Sequence, residues 1–189
     1  MPSAPLSLVC AHSPDSDDAY MFYALATQKV RSSLVTFSHL LADIETLNLQ
    51  ARQGRHPLTA ISYHAYPYVA QHYALMASGS SVGDGYGPIL AALRPMTPPE
   101  IKGKRVAIPG RLTTACLVLK LFEPDIEAVE VPFDQILAAV AERHVDLGLV
   151  IHEGQLTYAR SGFTKVMDLG AWWKSAYGLP LPLGANALS

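Results

Sequence analysis

Cysteine is nearly absent from this chain, and charge is sparse. Only Cys10 and Cys116 occur among 189 residues. Two thiols so far apart cannot build a disulfide framework or a four-thiolate zinc site, so both are read as small buried hydrophobes of a reduced protein. Charged residues make up 16%, against about 25% in ordinary globular domains. Disordered chains combine high charge with low hydrophobicity, whereas this one is 50% hydrophobic. A net charge of -2 supplies no basic surplus to displace counterions from phosphates, which argues against a nucleic-acid partner. No run reaches the roughly 18–20 apolar residues of a membrane span. The opening Met1-Pro2-Ser3-Ala4-Pro5 has neither a basic region nor an apolar core of the signal-peptide kind, so a cytoplasmic protein is expected.

What is present is alternation. Short apolar runs, read as strands, cover residues 6–11, 35–40, 58–62, 89–93, 105–108, 128–131, 147–151 and 165–168. Segments of helical period lie between several of them. The first places Ala19, Phe22, Tyr23 and Ala26 on one face after the Pro14-Asp15-Ser16-Asp17 start. The second follows an Asp43 cap, with Ile44, Leu47 and Ala51 inward. Two more carry Ala115, Val118, Leu119 and Phe122, then Phe133, Ile136, Leu137 and Val140. Strand–helix–strand order predicts parallel sheets covered by helices. The Gly/Ser-rich residues 78–88 are expected to form an ordered loop, and residues 94–99 (RPMTPP) a crossing between lobes. Two α/β lobes follow: residues 1–93, with 182–189 returning to them, and residues 97–177. GLPLPLG, residues 178–184, is expected to be a second crossing without regular structure. With only five residues beyond it, a returning segment is not expected to complete the first lobe; either that lobe is complete without it, or the chain is a fragment, which is the favoured expectation.

Seven histidines invite a metal, but none lies in an H-E-x-x-H pattern and no cysteines stand at C-x-x-C spacing, so no metal site is expected. HSPDSDD, residues 12–18, puts three carboxylates where a strand gives way to a helix. They either cap that helix or, at the crevice edge of a parallel sheet, let Asp15 or Asp18 orient a substrate hydroxyl. GDGYGP lacks the lysine and the strand–loop–helix setting of a phosphate loop and reads as a hinge or wall. Residues 109–115 (PGRLTTA) open a helix. Thr113 caps it, or Thr113, Thr114 and Ala115 together form an anion cup suited to a carboxylate. Ser62 ends a strand without a G-x-S-x-G elbow, so it is a hydrogen-bonding group rather than a nucleophile. His152 directly follows a strand, where an imidazole suits a general base at neutral pH; it is otherwise a structural histidine. Trp172 and Trp173 are read as packing aromatics.

HSPDSDDAYMFYAL, ADIETLN, PLTAISYHAY, GDGYGP, AIPGRLTTA, IHEGQLTYAR, DLGAWW and GLPLPLG together resemble the 1,4-dihydroxy-6-naphthoate synthases over nearly the whole chain. The resemblance implies a class-II periplasmic-binding-protein-like α/β fold, two lobes with a cleft between them. It implies a cofactor-independent lyase of the futalosine route to menaquinone, acting on cyclic dehypoxanthinyl futalosine, a small-molecule carboxylate. His152 matches the family's proton acceptor. Ala60, Ile61 and Ser62, Thr114 and Ala115 match substrate contacts, and Asp18 and Asn48 (the last residue of ADIETLN) join them. The chain departs from S-P-C-P-N-D, carried by some members, at Asp15-Ser16-Asp17. Members also continue past the position of Gly184 with helices that return to the first lobe. Two alternatives remain: a solute-binding module of the same fold without chemistry, and the sibling enzyme chorismate dehydratase. No signature of an oligomeric state is visible.

Overall fold

A computed structural model of the chain describes residues 4–189; Met1, Pro2 and Ser3, on which part of the signal-peptide expectation falls, lie outside the described residues. The chain divides into two compact units, one running to Ser81 and resuming at Gly184–Ser189, the other being Val82–Leu183.

The first unit holds β1 (Leu6–His12), α1 (Ser16–Ala26), β2 (Val35–Leu41), α2 (Ile44–Ala51), β3 (Leu58–Ser62) and most of β4 (Ala74–Gly83). β1 pairs in parallel with β2 and β3. The helix starts are set by side chains: Asp15 accepts from the Asp18 N–H, and Asp43 from the Thr46 N–H. In α1 the inward face is turned from the expected one. Asp18, Met21, Phe22 and Leu25 are covered, while Tyr23 is 52% exposed and Ala19 and Ala26 face solvent. Both stripes contain Phe22 and both obey the helical period, so periodicity alone could not choose between them.

The second unit carries β5 (Ile89–Ala92), β6 (Arg105–Ile108), α3 (Thr114–Phe122), β7 (Glu127–Glu130), α4 (Ile136–Ala141), β8 (Leu147–Val150), the short α5 (Gly154–Thr157), β9 (Thr164–Asp168) and α6 (Leu169–Tyr177). Its sheet order is β7-β6-β8-β5-β9. β6 is parallel to β7 and β8, while β5 runs antiparallel to β8 and β9. The core gathers Leu90, Ile101, Ile108, Leu119, Leu147, Leu149 and Leu169, all fully buried, with Trp172 and Trp173 packed against it. β5 therefore belongs here, and the expected boundary at residue 93 moves back to Ser81/Val82. Its four buried residues fit either lobe; pairing with β8 decides.

Two strands run through segments expected to be irregular. Residues 78–83 belong to β4, which shows no continuous apolar face. Residues 181–184 open β10 (Leu181–Leu188), which lies between β3 and β4 and pairs antiparallel with β3 from Gly184 to Leu188. Pro182 precedes that pairing, so its missing N–H falls outside the stretch paired with β3. The first unit thus has a five-stranded sheet, β2-β1-β3-β10-β4; the segment expected to return to it does so from Gly184, and the expectation that residues 178–184 lack regular structure is corrected from Leu181 on.

Both thiols are buried and unbridged. Burial, reinforced by the Asp18 charge, pushes Cys10 up to about 12. Iodoacetamide at pH 8 should therefore label neither thiol in the folded protein and both in denaturant. A raised thiol also stabilises the fold below its unfolded value. Stability should accordingly fall as pH climbs from about 9 toward 12, because only the unfolded chain releases that proton there; melting temperature against pH checks it.

Candidate functional site

At the C-terminal edge of the first sheet, β1 ends on His12 and β3 on Ser62. His12, Ser13 and Asp15 are buried. The Ser13 N–H donates to Asp18 Oδ2 over 2.7 Å, so the acidic run both caps α1 and fixes the turn that leads into it.

Asn48 and Ser62 form a closed pair. The Ser62 N–H donates to Asn48 Oδ1 at 2.8 Å, and Asn48 Nδ2 donates to Ser62 Oγ at 3.0 Å. The main-chain donor settles which end of the amide is oxygen. Both residues are buried. Asn48, expected as a substrate contact, spends its amide on Ser62 and, at 3.5 Å, on Glu45. The Ser62 hydroxyl accepts from Asn48 and keeps one proton to give. Asn48→Ala would leave the buried Ser62 N–H and hydroxyl unpaired, and should cost about 2–3 kcal/mol, read as the shift in urea midpoint.

Ala60 and Ile61 are core residues. Ala60 packs with Ala11 and Leu47, and Ile61 with Ala51, Val69, Tyr73 and Ala187, while their backbones pair with Asn186 and Ala185 of β10. Any ligand contact at these two positions falls to main-chain atoms.

In the second unit, α3 opens at the double threonine. Thr113 is the N-cap: its hydroxyl accepts from the Cys116 N–H and donates to the Gly110 carbonyl at 2.8 Å. Thr114 Oγ1 donates to the Leu183 carbonyl at 2.7 Å. Both hydroxyl protons are thus engaged within the unit. Thr113, Thr114 and Ala115 are all buried, so the part of the expected cup left for an anion is its main-chain N–H groups.

His152 stands two residues beyond β8 and is half-buried, with the Phe133 ring edge-on at 5.5 Å between centroids. Its φ is 54°, in the left-handed region that side chains avoid at a cost of roughly 1–2 kcal/mol. Two other non-glycine residues share this state, Gln28 and Arg143. Each of those follows the last turn of a helix, α1 and α4, and closes it with main-chain bonds. His152 follows a strand and closes no helix.

The fold joins two histidines that no motif connects. His12 Nε2 and His39 Nδ1 lie 3.0 Å apart. Their spacing of 27 residues signals nothing; the clue was that each falls in a strand on the face that α1 covers. Among the described residues no group of three or more His, Cys, Asp or Glu is placed to hold a metal, and no helix is long and apolar enough to cross a membrane.

A family model described as "Menaquinone biosynthesis" matches residues 8–189. The chain belongs to the menaquinone-biosynthesis family. Among proteins similar to this family member are the 1,4-dihydroxy-6-naphthoate synthases of Thermus thermophilus, 47% identical over 92% of the chain, and Streptomyces coelicolor, 37% identical over 95%. The chain spans 62% and 64% of their lengths. The crystal structure of protein AF1704 from Archaeoglobus fulgidus superposes with a TM-score of 0.91 at 49% identity, over 96% of this chain and 67% of that one. The alkanesulfonate-binding protein SsuA of Xanthomonas axonopodis, bound to MOPS, superposes at 0.75 with 15% identity, over 100% and 67%. That likeness establishes for this family member the periplasmic-binding-protein-like fold of two α/β lobes.

Proposed function

We propose that this member of the menaquinone-biosynthesis family carries the 1,4-dihydroxy-6-naphthoate synthase reaction. It would convert cyclic dehypoxanthinyl futalosine to 1,4-dihydroxy-6-naphthoate with release of the sugar-derived fragment. The observation that carries the reading is His152: a histidine held in a left-handed conformation just past the end of β8, in a chain 47% identical to a protein of that name.

The chemistry asks for little more than positioning and proton movement. Forming an aromatic ring provides the driving force, so the protein must hold the substrate and remove a carbon-bound proton next to a carbonyl. His152 is the base. The Ser62 hydroxyl, with one proton to give, suits an oxygen acceptor of the substrate. The main-chain N–H groups at the start of α3 suit its carboxylate. Asp18 is the candidate acceptor for a substrate hydroxyl, and none of these roles calls on a cofactor. A cytoplasmic location goes with a biosynthetic step on a soluble metabolite.

Incubation of the chain with cyclic dehypoxanthinyl futalosine, followed by mass analysis, tests this directly; the naphthoate should appear in proportion to protein and time. The fold shared with SsuA supports a second reading, a binding module without chemistry. Tight binding with unchanged ligand recovered would favour it and remove the enzymatic reading. Consumption of chorismate instead would move the assignment to the sibling dehydratase.

A further inference from the structure

Two imidazoles sit in a layer that is otherwise apolar. Parallel pairing sets His39 of β2 beside Cys10 of β1, and His12 lies two residues further along the same face. Phe22 of α1 covers them, its ring stacked on His12 with centroids 4.3 Å apart. Met21, Leu25, Phe37 and Leu58 complete the layer. Polar rings are costly there unless they are paired.

The bonds fix the hydrogens. His12 Nδ1 lies 3.0 Å from the Ser13 carbonyl, which only accepts, so Nδ1 carries the hydrogen. With one hydrogen on each ring, His12 Nε2 is then the acceptor and His39 Nδ1 donates to it. His39 Nε2 is left without hydrogen, buried, and with no partner among the described residues. Beyond His12, the Ser13 N–H donates to the Asp18 carboxylate.

We propose that His39 and His12 are positioning residues. A hydrogen-bond relay, running from His39 through His12 and the main chain of Ser13, sets the Asp18 carboxylate at the edge of the first sheet. The role of that carboxylate toward substrate rests on the reading above; the relay itself does not. It works with one hydrogen on each ring. A second proton on His39 would sit on a buried nitrogen without an acceptor, and a second on His12 would set two N–H groups face to face. Burial, and then the neighbouring His12 ring, hold His39 below the ordinary imidazole value. The other titratable groups on the packed elements are Cys10 on β1, Asp15, Asp17 and Asp18 at the start of α1, and the exposed Tyr20 and Tyr23; β3 carries none.

His39→Asn keeps a donor at the Nδ1 position and removes the titrating Nε2; His39→Leu removes both. Nitrogen spectra of histidine-labelled parent protein at pH 7.5 should show both rings hydrogenated on Nδ1 and His39 Nε2 bare. The Ser13 amide resonance should stay in place in His39→Asn and move in His39→Leu. Turnover should stay within about threefold of the parent in the first variant and fall about tenfold in the second, the loss of roughly one hydrogen bond to a positioned charge. A proton on His39 Nε2, an unmoved Ser13 amide in His39→Leu, or parental turnover in that variant would each overturn the proposal. If the parent turns nothing over while the ring states and the amide behave as stated, the relay stands and the enzymatic reading fails. If His39→Leu does not fold, the parent spectra and His39→Asn still decide.

Discussion

His152→Ala should lower kcat on cyclic dehypoxanthinyl futalosine by about 10²–10⁴-fold, the range of a removed general base, with KM changed far less. His152→Gly should be as inactive yet more stable than His152→Ala, by about 1 kcal/mol, because glycine enters the φ of 54° without a steric penalty. The two variants separate function from packing. A histidine kept for structure would cost stability in both variants and leave turnover of the folded protein near the parental level. Steady-state kinetics with chemical denaturation on both proteins decides; turnover near the parental level in His152→Ala would take the ring out of the reaction.

Gly170→Ala should be strongly destabilising. A Cβ at Gly170 would land inside the Tyr86 peptide and against the Gly87 nitrogen, all backbone atoms. Neither side can give way cheaply. The turn before β5 is held to the same helix by the Leu169 N–H on the Pro88 carbonyl at 2.9 Å and by Lys174 on Asp84 at 2.9 Å. Gly170 has no left-handed φ, so the cost is steric alone, and about 4 kcal/mol or more is expected. Gly54→Ala is the control. Gly54 has φ 64° and nothing within 4 Å of the added methyl, so only the backbone penalty remains, about 1 kcal/mol. Comparable urea midpoints for the two variants would show that the α6 contact yields.

Local pattern carried much of the architecture. Runs such as LTAIS and RVAI, apolar and bounded by turn residues, are strands with the expected limits. Asp43 and Thr113 cap their helices because short polar side chains meet free N–H groups there. What pattern could not supply was pairing. ALMASGSSVG has no apolar face, and its strand exists because β10 lies beside it. GLPLPLG shows its prolines, but not that Leu181 is buried or that the residues beyond pair with β3. At the candidate site, sequence singled out His152, Ser62 and the double threonine as residues. The spent amide of Asn48, the engaged Thr114 hydroxyl and the joined His12–His39 rings depend on partners 14, 69 and 27 positions away, distances at which spacing says nothing.

The place of β10 has a consequence for biogenesis. Residues 84–180, nearly all of the second unit, leave the ribosome before β10, the strand that sits between β3 and β4. Until then β3 and β4 lack the strand that joins them, and their open edges are of the kind chaperones shield. The second unit, one continuous stretch, can settle first. Since β4 and β10 are neighbours, a settled second unit would bring its own two ends together and so shorten the entropic search that closing the first sheet requires.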